Sequence, residues 1–225
     1  MKRTPISDRT LPDYTRGEEI FNMVTHIVGG GLGVVVLALC VIFSALHHDA
    51  WAVVGCSIYG ASMIALYTIS SVYHGLSPEH ERAKKVMQVL DHCTIYFLIA
   101  GTYTPIVLAG IRRIDPVAGW VLFGVVWGLA ALATTFTAID LRKYRVFSMI
   151  CYIGMGWCII CRIDLAIAAL TKPGFLFLLG GGIAYTVGAV LYGLGRSHRF
   201  MHSVFHIFVF IGSLLQFFAI FFYLI

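Results

Sequence analysis

Long apolar stretches alternate with short polar linkers along almost the whole chain. Each stretch has about 20 residues or more, the length that an α-helix needs to cross the hydrocarbon core of a bilayer. The pattern predicts seven spans, at residues 20–46, 51–74, 87–109, 117–139, 147–169, 174–194 and 202–224. Arg162 and Asp164 interrupt the fifth span, so it either continues to residue 169 or ends near Cys161. In the second case an interfacial segment follows, up to Pro173 and Gly174.

The composition agrees with a membrane protein. The 225 residues are 59% hydrophobic and only 12% charged, with a mean hydropathy of +0.87. A soluble domain carries about 25% charged residues. We therefore predict an all-α, polytopic membrane protein with a polar tail at residues 1–18 and a seven-helix transmembrane domain at residues 19–225. The short linkers favour a compact antiparallel bundle.

The basic residues predict the orientation of the bundle. On the predicted spans, twelve of the 16 lysines and arginines fall on one side of the membrane. These are Lys2, Arg3, Arg9, Arg16, Arg82, Lys84, Lys85, Arg142, Lys143, Arg145, Arg196 and Arg199. Because cytoplasmic loops are enriched in Lys and Arg, we expect a cytoplasmic N-terminus and a C-terminus outside. The cations are scattered among the loops without interleaved aromatic residues, so the net charge of +5 does not indicate nucleic-acid binding.

The cysteines all lie in apolar segments, where we expect free thiols that pack as small hydrophobic side chains. Cys158-x-x-Cys161 has the spacing of a redox or metal motif. Its apolar surroundings favour the packing role.

Four short polar motifs occur at the ends of predicted spans. They are Glu19-x-x-Asn22-x-x-Thr25-His26, Ser70-x-x-x-His74, Asp91-His92 and His202-x-x-x-His206. The predicted orientation puts all four near the cytoplasmic leaflet. Polar and ionisable groups at membrane depth are energetically costly, so they need partners or a function. Their shared depth predicts a polar metal or catalytic site.

Histidines of this set have the spacing of metal ligands. His202 and His206 are four residues apart, so both imidazoles project from one face of a helix. With His74 as a third ligand, they would form a three-histidine zinc site whose fourth position is open to water. Zinc lowers the pKa of bound water towards about 7. Asp91 could accept a proton from that water or orient it, and the Ser70 hydroxyl could hydrogen-bond a reacting carbonyl.

Each motif also has a purely structural interpretation. The paired histidines could be interfacial side chains or be satisfied within the bundle. Asp91 could cap a helix start, and the Ser70 hydroxyl could bond to the backbone carbonyl of Leu66.

Glu19, Asn22 and His26 form one stripe of the first helix. They are either a polar helix start that satisfies loop backbone or a second shell that supports the metal ligands. We also assign His92 to the second shell or to a structural role. Adjacent helical positions diverge by about 100°, so His92 should point away from Asp91.

Together these motifs resemble the hemolysin III family of the progestin and adipoQ receptor superfamily. The motif Ala100-Gly101-Thr102-Tyr103-Thr104-Pro105 adds to the resemblance, which extends from about Glu18 to the C-terminus. The resemblance implies a seven-helix protein with zinc near the cytoplasmic leaflet. Its ligands would be His74, His202 and His206, with Asp91 on the metal-bound water and Ser70 beside it. The short tail resembles the bacterial branch, which implies the bacterial cytoplasmic (inner) membrane.

Three functions fit these observations. Receptor members of the superfamily have been linked to hydrolysis of a lipid amide, so the first is a zinc-dependent intramembrane hydrolase of a lipid amide or ester that serves membrane-lipid homeostasis. The second is a non-enzymatic, lipid-responsive receptor or regulator with structural zinc. The third is a pore-forming hemolysin, which would need a polar stripe through the whole membrane. The expected partner is a membrane lipid, and the sequence leaves the oligomeric state open.

Overall fold

The computed structural model of the protein describes residues 4–47, 49–194 and 198–225. All regular structure within these ranges is helical, as the apolar pattern predicts. Three of the cations used to assign the orientation, Lys2, Arg3 and Arg196, lie outside the described residues.

Eight α-helices are present in the described ranges, joined in places by 3₁₀ or π turns. They are α1 (Arg16–Leu46), α2 (Ala50–Gly75), α3 (Glu81–Pro105), α4 (Arg112–Ile114), α5 (Pro116–Ile139), α6 (Arg145–Trp157), α7 (Ile163–Leu194) and α8 (Met201–Tyr223). The 3₁₀ turns are Ile6–Asp8, Pro78–His80 and Cys158–Arg162, and a π segment covers Ile106–Ile111.

Local sequence signals set several helix starts. The Thr15 side chain accepts a hydrogen bond from the backbone N–H of Glu18, whose carboxylate accepts one from the Thr15 N–H, which is a capping box at α1. Asp49 caps α2 through the N–H groups of Trp51 and Ala52. Asp115 caps α5, with Pro116 at the first helical position.

Six helical segments among the described residues are long and apolar enough to cross a membrane. The protein is therefore a polytopic helical membrane protein. One of the six is the 50-residue segment Arg145–Leu194. The number of seven membrane spans therefore stays a prediction.

That segment changes geometry twice. At Cys158–Arg162 the helix tightens to a 3₁₀ turn and then continues as α7, so the helical structure does not end near Cys161. The sharper break is at Thr171, with φ 62° and ψ 169°, and Pro173 follows it. Arg162 and Asp164 pair with each other instead of ending the helix.

Helix α3 is the most buried helix and lies at the centre of the bundle. It packs against α2, α5 and α6, while α1 lies against α2 and α8. Helices α2 and α3 approach each other closely: a Cβ atom added at Gly55 would lie 2.6 Å from the Cα atom of Pro105. Pro105 does not break the chain, because the helix passes directly into the π segment. The helix ends that carry the polar motifs meet at one face of the bundle. This face contains His26, His74, His202 and His206, and we call it the N-terminal face.

Candidate metal centre

Three buried histidines converge at the N-terminal face. The Nε2 atom of His202 lies 3.3 Å from Nε2 of His74 and 3.1 Å from Nε2 of His206. One ring nitrogen from each residue lies within 4.8 Å of the other two. The predicted meeting of the Ser70-x-x-x-His74 and His202-x-x-x-His206 motifs is therefore present in the fold.

The start of α8 sets the positions of His202 and His206. Phe200, just before the helix, has a left-handed backbone with φ 61°. Its N–H donates a 2.6 Å hydrogen bond to Oε1 of Glu18, and Oε2 of Glu18 accepts 2.8 Å bonds from the N–H and hydroxyl of Thr15. One buried carboxylate thus ties the start of α1 to the start of α8.

A second carboxylate fixes His74 at the end of α2. Oε2 of Glu19 lies 2.5 Å from Nδ1 of His74. Its other oxygen accepts a 2.6 Å hydrogen bond from Nζ of Lys84, which also donates to the carbonyl of Leu76. Because a carboxylate accepts, Nδ1 of His74 donates in this contact, and Nε2 faces the other imidazoles.

Ser70 and Asp91 lie beside the histidines, on the wall of one internal cavity. The Ser70 side chain is fully buried, and its hydroxyl has no hydrogen-bond partner among the described residues. The alternative in which Ser70 bonds to the Leu66 carbonyl is therefore wrong. Asp91 lies in the third turn of α3, which begins at Glu81, so it does not cap the helix start.

The remaining polar residues of the motifs surround the histidines. The His26 ring stacks on His206, with centroids 3.7 Å apart and planes at 16°. Oδ1 of Asn22 accepts a 2.7 Å hydrogen bond from the Ser203 hydroxyl. Nδ1 of His92 is 2.8 Å from the carbonyl of Gln88.

His92 lies on the cavity wall beside Asp91. Its Nδ1 atom is 3.9 Å from Oδ2 of Asp91. The expectation that the two side chains would point apart is therefore wrong for this cavity, because adjacent helical positions can both border a wide space.

The cavity has a volume of about 160 Å³ and runs from the histidines into the bundle. Its polar end is formed by His26, Ser70, Asp91, His202 and His206. Its body is lined mainly by apolar side chains of α3, the π segment, α6, α7 and α8, among them Leu98, Ile106, Phe175 and Leu178. The site is thus the polar end of an apolar chamber.

Three further residues of this region were not predicted from the sequence. Glu18 was detectable, because Thr15-x-x-Glu18 is a capping box motif, although only the fold shows its bond to Phe200. Lys84 was used only as one of the basic residues that predict the orientation. No local sequence signal indicates its hydrogen bond to Glu19. Tyr14 stacks on His202 with ring centroids 5.0 Å apart, and no local sequence signal indicates this contact either.

The cysteines are all free, as expected. Cys158 and Cys161 lie in the 3₁₀ turn between α6 and α7, apart from the histidine cluster. Among the described residues, the group of possible metal ligands is His74, His202 and His206, and it includes no cysteine.

Comparisons with known proteins agree with the resemblance inferred from the motifs. The family model described as "Haemolysin-III related" matches residues 14–217. The Hemolysin-3 of Bacillus cereus is 40% identical over 208 residues, 92% of each chain. The Hemolysin-3 homolog of Bacillus subtilis (strain 168) is 36% identical over 210 residues, 93% of this chain and 96% of the relative.

A more distant relative is the human monocyte to macrophage differentiation factor. It is 27% identical over 230 residues, covering 99% of this chain and 90% of the relative, and it is a protein of the progestin and adipoQ receptor type. The match thus extends from the bacterial hemolysins to that superfamily. The chain belongs to the hemolysin III family.

Proposed function

We propose that this protein is a zinc-dependent intramembrane hydrolase that acts on a lipid amide or ester and serves membrane-lipid homeostasis. The observation that carries the proposal is the convergence of three imidazoles, two of which line the polar end of an apolar cavity together with Ser70 and Asp91.

The donor set fits zinc. Zn–N bonds of about 2.0–2.1 Å at tetrahedral angles put two ligating nitrogens about 3.3 Å apart. The measured Nε2 separations are 3.3 Å and 3.1 Å. The bond from His74 to Glu19 supplies the carboxylate partner that metal-binding imidazoles commonly have. His74, His202 and His206 would therefore hold the ion.

Zinc bound here would act as a Lewis acid and lower the pKa of water in the site. The residues of the chain would carry the remaining steps. Asp91 takes the proton of the attacking water at a carboxylate oxygen and returns it to the leaving nitrogen or oxygen as the carbonyl C–N or C–O bond breaks. The unpaired Ser70 hydroxyl donates a hydrogen bond to the carbonyl oxygen, where negative charge develops.

The apolar body of the cavity favours a lipid tail as occupant. Leu98, Ile106, Phe175 and Leu178 line it, and a tail there would leave its polar linkage beside the histidines. A pore needs a polar path through the membrane, whereas the body of this cavity is lined mainly by apolar side chains. We therefore favour a lipid-binding site over a channel.

We further propose that the chain crosses the bacterial inner membrane seven times, with its N-terminus in the cytoplasm and its C-terminus outside. The break at Thr171 supports two crossings within Arg145–Leu194, because 50 residues are about twice the length of one span. The cation asymmetry supports the orientation. Fusion reporters at residue 172 and at the C-terminus, scored for membrane side, test both statements.

The decisive experiment measures zinc content and lipid turnover together. Detergent-purified protein should contain about one zinc per chain, and a His202→Ala/His206→Ala variant should lose it while remaining folded. Asp91→Asn should retain zinc but lose turnover of ceramide-type amides and glycerolipid esters. Asp164→Asn, at an exposed residue remote from the site, is the matched control.

The outcomes separate the competing functions. Wild-type protein without zinc, prepared free of chelators, would overturn the metal site. If the wild-type protein contains zinc but turns over no lipid of the panel, and Asp91→Asn behaves in the same way, the hydrolase proposal is overturned. A regulator with structural zinc then remains.

A further inference from the structure

We propose that residues 4–15 form a strap that closes the N-terminal face of the metal centre, and that Tyr14 is a positioning residue that holds His202 in its metal-binding orientation. The proposal rests on the zinc site proposed above but not on hydrolysis. Its test is a rate of metal loss, so it can fail while the zinc site stands.

The Tyr14 ring covers a ring of the proposed ligand set. It stacks on His202 with centroids 5.0 Å apart and planes only 10° from parallel. It also meets His74 at 5.9 Å and 50°. One aromatic side chain from outside the helical bundle thus contacts two of the three ligands.

His202 needs this contact more than His74 does. Metal-binding imidazoles are usually oriented by a hydrogen bond at the nitrogen that does not bind the metal. His74 has such a bond to Glu19, but Nδ1 of His202 is buried without a hydrogen-bond partner among the described residues. Ring packing must therefore fix its orientation. Tyr192 and Phe205 also contact the ring, and Tyr14 adds the most nearly parallel stack.

Hydrogen bonds fasten the strap to three parts of the bundle. The Ser7 carbonyl accepts a 2.8 Å bond from Nζ of Lys85 on α3. Nη2 of Arg9 donates a 2.7 Å bond to the carbonyl of Ile139 at the end of α5. The Asp13 carbonyl accepts a 2.8 Å bond from Nη1 of Arg199, just before α8.

These attachments span the face on which the histidines lie, so movement of the strap would take Tyr14 away from His202. Metal exchange from this side then requires that movement.

The test measures zinc release from the detergent-purified, zinc-loaded protein into an excess of chelator. Tyr14→Ala should release zinc about tenfold faster, Tyr14→Phe at the wild-type rate, and Arg9→Ala at an intermediate rate because it unfastens the strap. Tyr223→Ala, which removes a ring at the opposite end of the bundle, controls for the loss of an aromatic side chain.

Equal release rates for wild type and Tyr14→Ala at equal zinc content would overturn the role of Tyr14. If Tyr14→Ala does not fold, Tyr14→Leu keeps an apolar side chain without the stacked ring and must show the same acceleration. Zinc-free wild type would instead overturn the proposed metal site itself.

A separate observation concerns the body of the cavity, and from it we infer that the occupant carries a hydroxyl on its tail. Gln216 lines the cavity and is 6% exposed. Its Nε2 atom donates a 3.3 Å hydrogen bond to the Leu178 carbonyl, which leaves Oε1 buried without a partner among the described residues.

Other polar side chains along the body are satisfied within the protein. The Tyr103 hydroxyl donates to the carbonyl of Gly156, the Tyr185 hydroxyl pairs with Ser213, and Trp157 Nε1 donates to Thr186. Because a buried acceptor without a donor is unfavourable, Oε1 of Gln216 is suited to accept a hydrogen bond from an occupant.

The position of Gln216 sets where that donor lies. Gln216 lies ten positions after His206 along α8, which corresponds to about 15 Å of helix. This inference rests on the proposed lipid substrate. It places the hydroxyl of the tail about 15 Å from the linkage that meets the histidines.

The probes are stearic acid and a hydroxystearic acid with the hydroxyl at mid-chain, in equilibrium binding to the detergent-purified protein. Wild type should bind the hydroxylated acid about fivefold more tightly, as expected for one added hydrogen bond. Gln216→Leu should lose that preference and still bind stearic acid.

Equal binding of both acids by wild type would overturn the inference and indicate that Gln216 is satisfied by water. Binding of neither acid would overturn lipid occupancy of the cavity, and this inference with it, without touching the zinc site.

Discussion

Oε2 of Glu19 lies 2.5 Å from Nδ1 of His74, which couples the first turn of α1 to the last turns of α2. The same carboxylate binds Lys84 of α3. Three helices thus meet at one side chain, and the imidazole that this side chain orients faces the other two histidines.

Glu19→Gln should weaken zinc binding about 10- to 100-fold, because it removes the charged acceptor that holds the Nδ1 proton of His74. Zinc titration of the purified apo-protein measures the effect. Glu79→Gln, in an exposed 3₁₀ turn, is the matched control and should bind zinc like wild type. Unchanged affinity in Glu19→Gln would show that packing alone orients His74.

Ser70→Ala should lower lipid turnover about 100-fold, because it removes the proposed donor to the carbonyl oxygen. Zinc content should stay the same, and thermal stability should not fall, since the Ser70 hydroxyl has no hydrogen-bond partner to lose in the part of the chain that the structure describes. Ser71→Ala is the neighbouring control; its hydroxyl bonds to the Tyr67 carbonyl at 2.7 Å, away from the histidines. Full turnover in Ser70→Ala would contradict the assigned role.

Thr171→Gly should raise the free energy of unfolding by about 1 kcal/mol, because a β-branched residue at positive φ is strained and glycine is not. Thr135→Gly, in the exposed interior of α5, should lower it by about 1 kcal/mol. Thermal unfolding in detergent compares the two. Destabilisation by both substitutions would show that the Thr171 side chain contributes more than its backbone strain costs.

Acid should release the strap at its start. The Thr4 hydroxyl donates a 2.5 Å hydrogen bond to Oδ2 of Asp140, and with the Lys143 N–H it holds the pKa of Asp140 below its ordinary value of 3.8. A carboxyl group with a lowered folded-state pKa stabilises the fold above its unfolded pKa and loses that contribution as the pH falls through the folded value.

We therefore expect residues 4–10 to resist proteolysis at neutral pH and to become susceptible only below about pH 4. Asp140→Ala should make them susceptible at neutral pH as well. Asp164→Ala, at an exposed carboxylate paired with Arg162, should behave like wild type. Protection of the tail in Asp140→Ala would show that Arg9 and Lys85 hold it without Thr4.

By itself, the sequence determined the class of the protein. The apolar stretches are long enough to require membrane-spanning helices, because backbone groups in lipid must bond within their own segment. The i, i+4 spacing of His202 and His206 fixed their common face before any packing was known. The apolar pattern placed the start of the first helix at residue 20, four residues after Arg16, where the capping box of Thr15 and Glu18 begins α1.

Only the tertiary structure decided which side chains meet. The contacts of His74 with His202, of Lys84 with Glu19 and of Tyr14 with His202 join residues far apart in the chain, and no local propensity encodes such pairs. Packing also decided that Ser70 leaves its hydroxyl free and that His92 shares a cavity with Asp91. Hydrophobic length sets the number and depth of helices, whereas their rotation and neighbours depend on side-chain fit across the whole bundle.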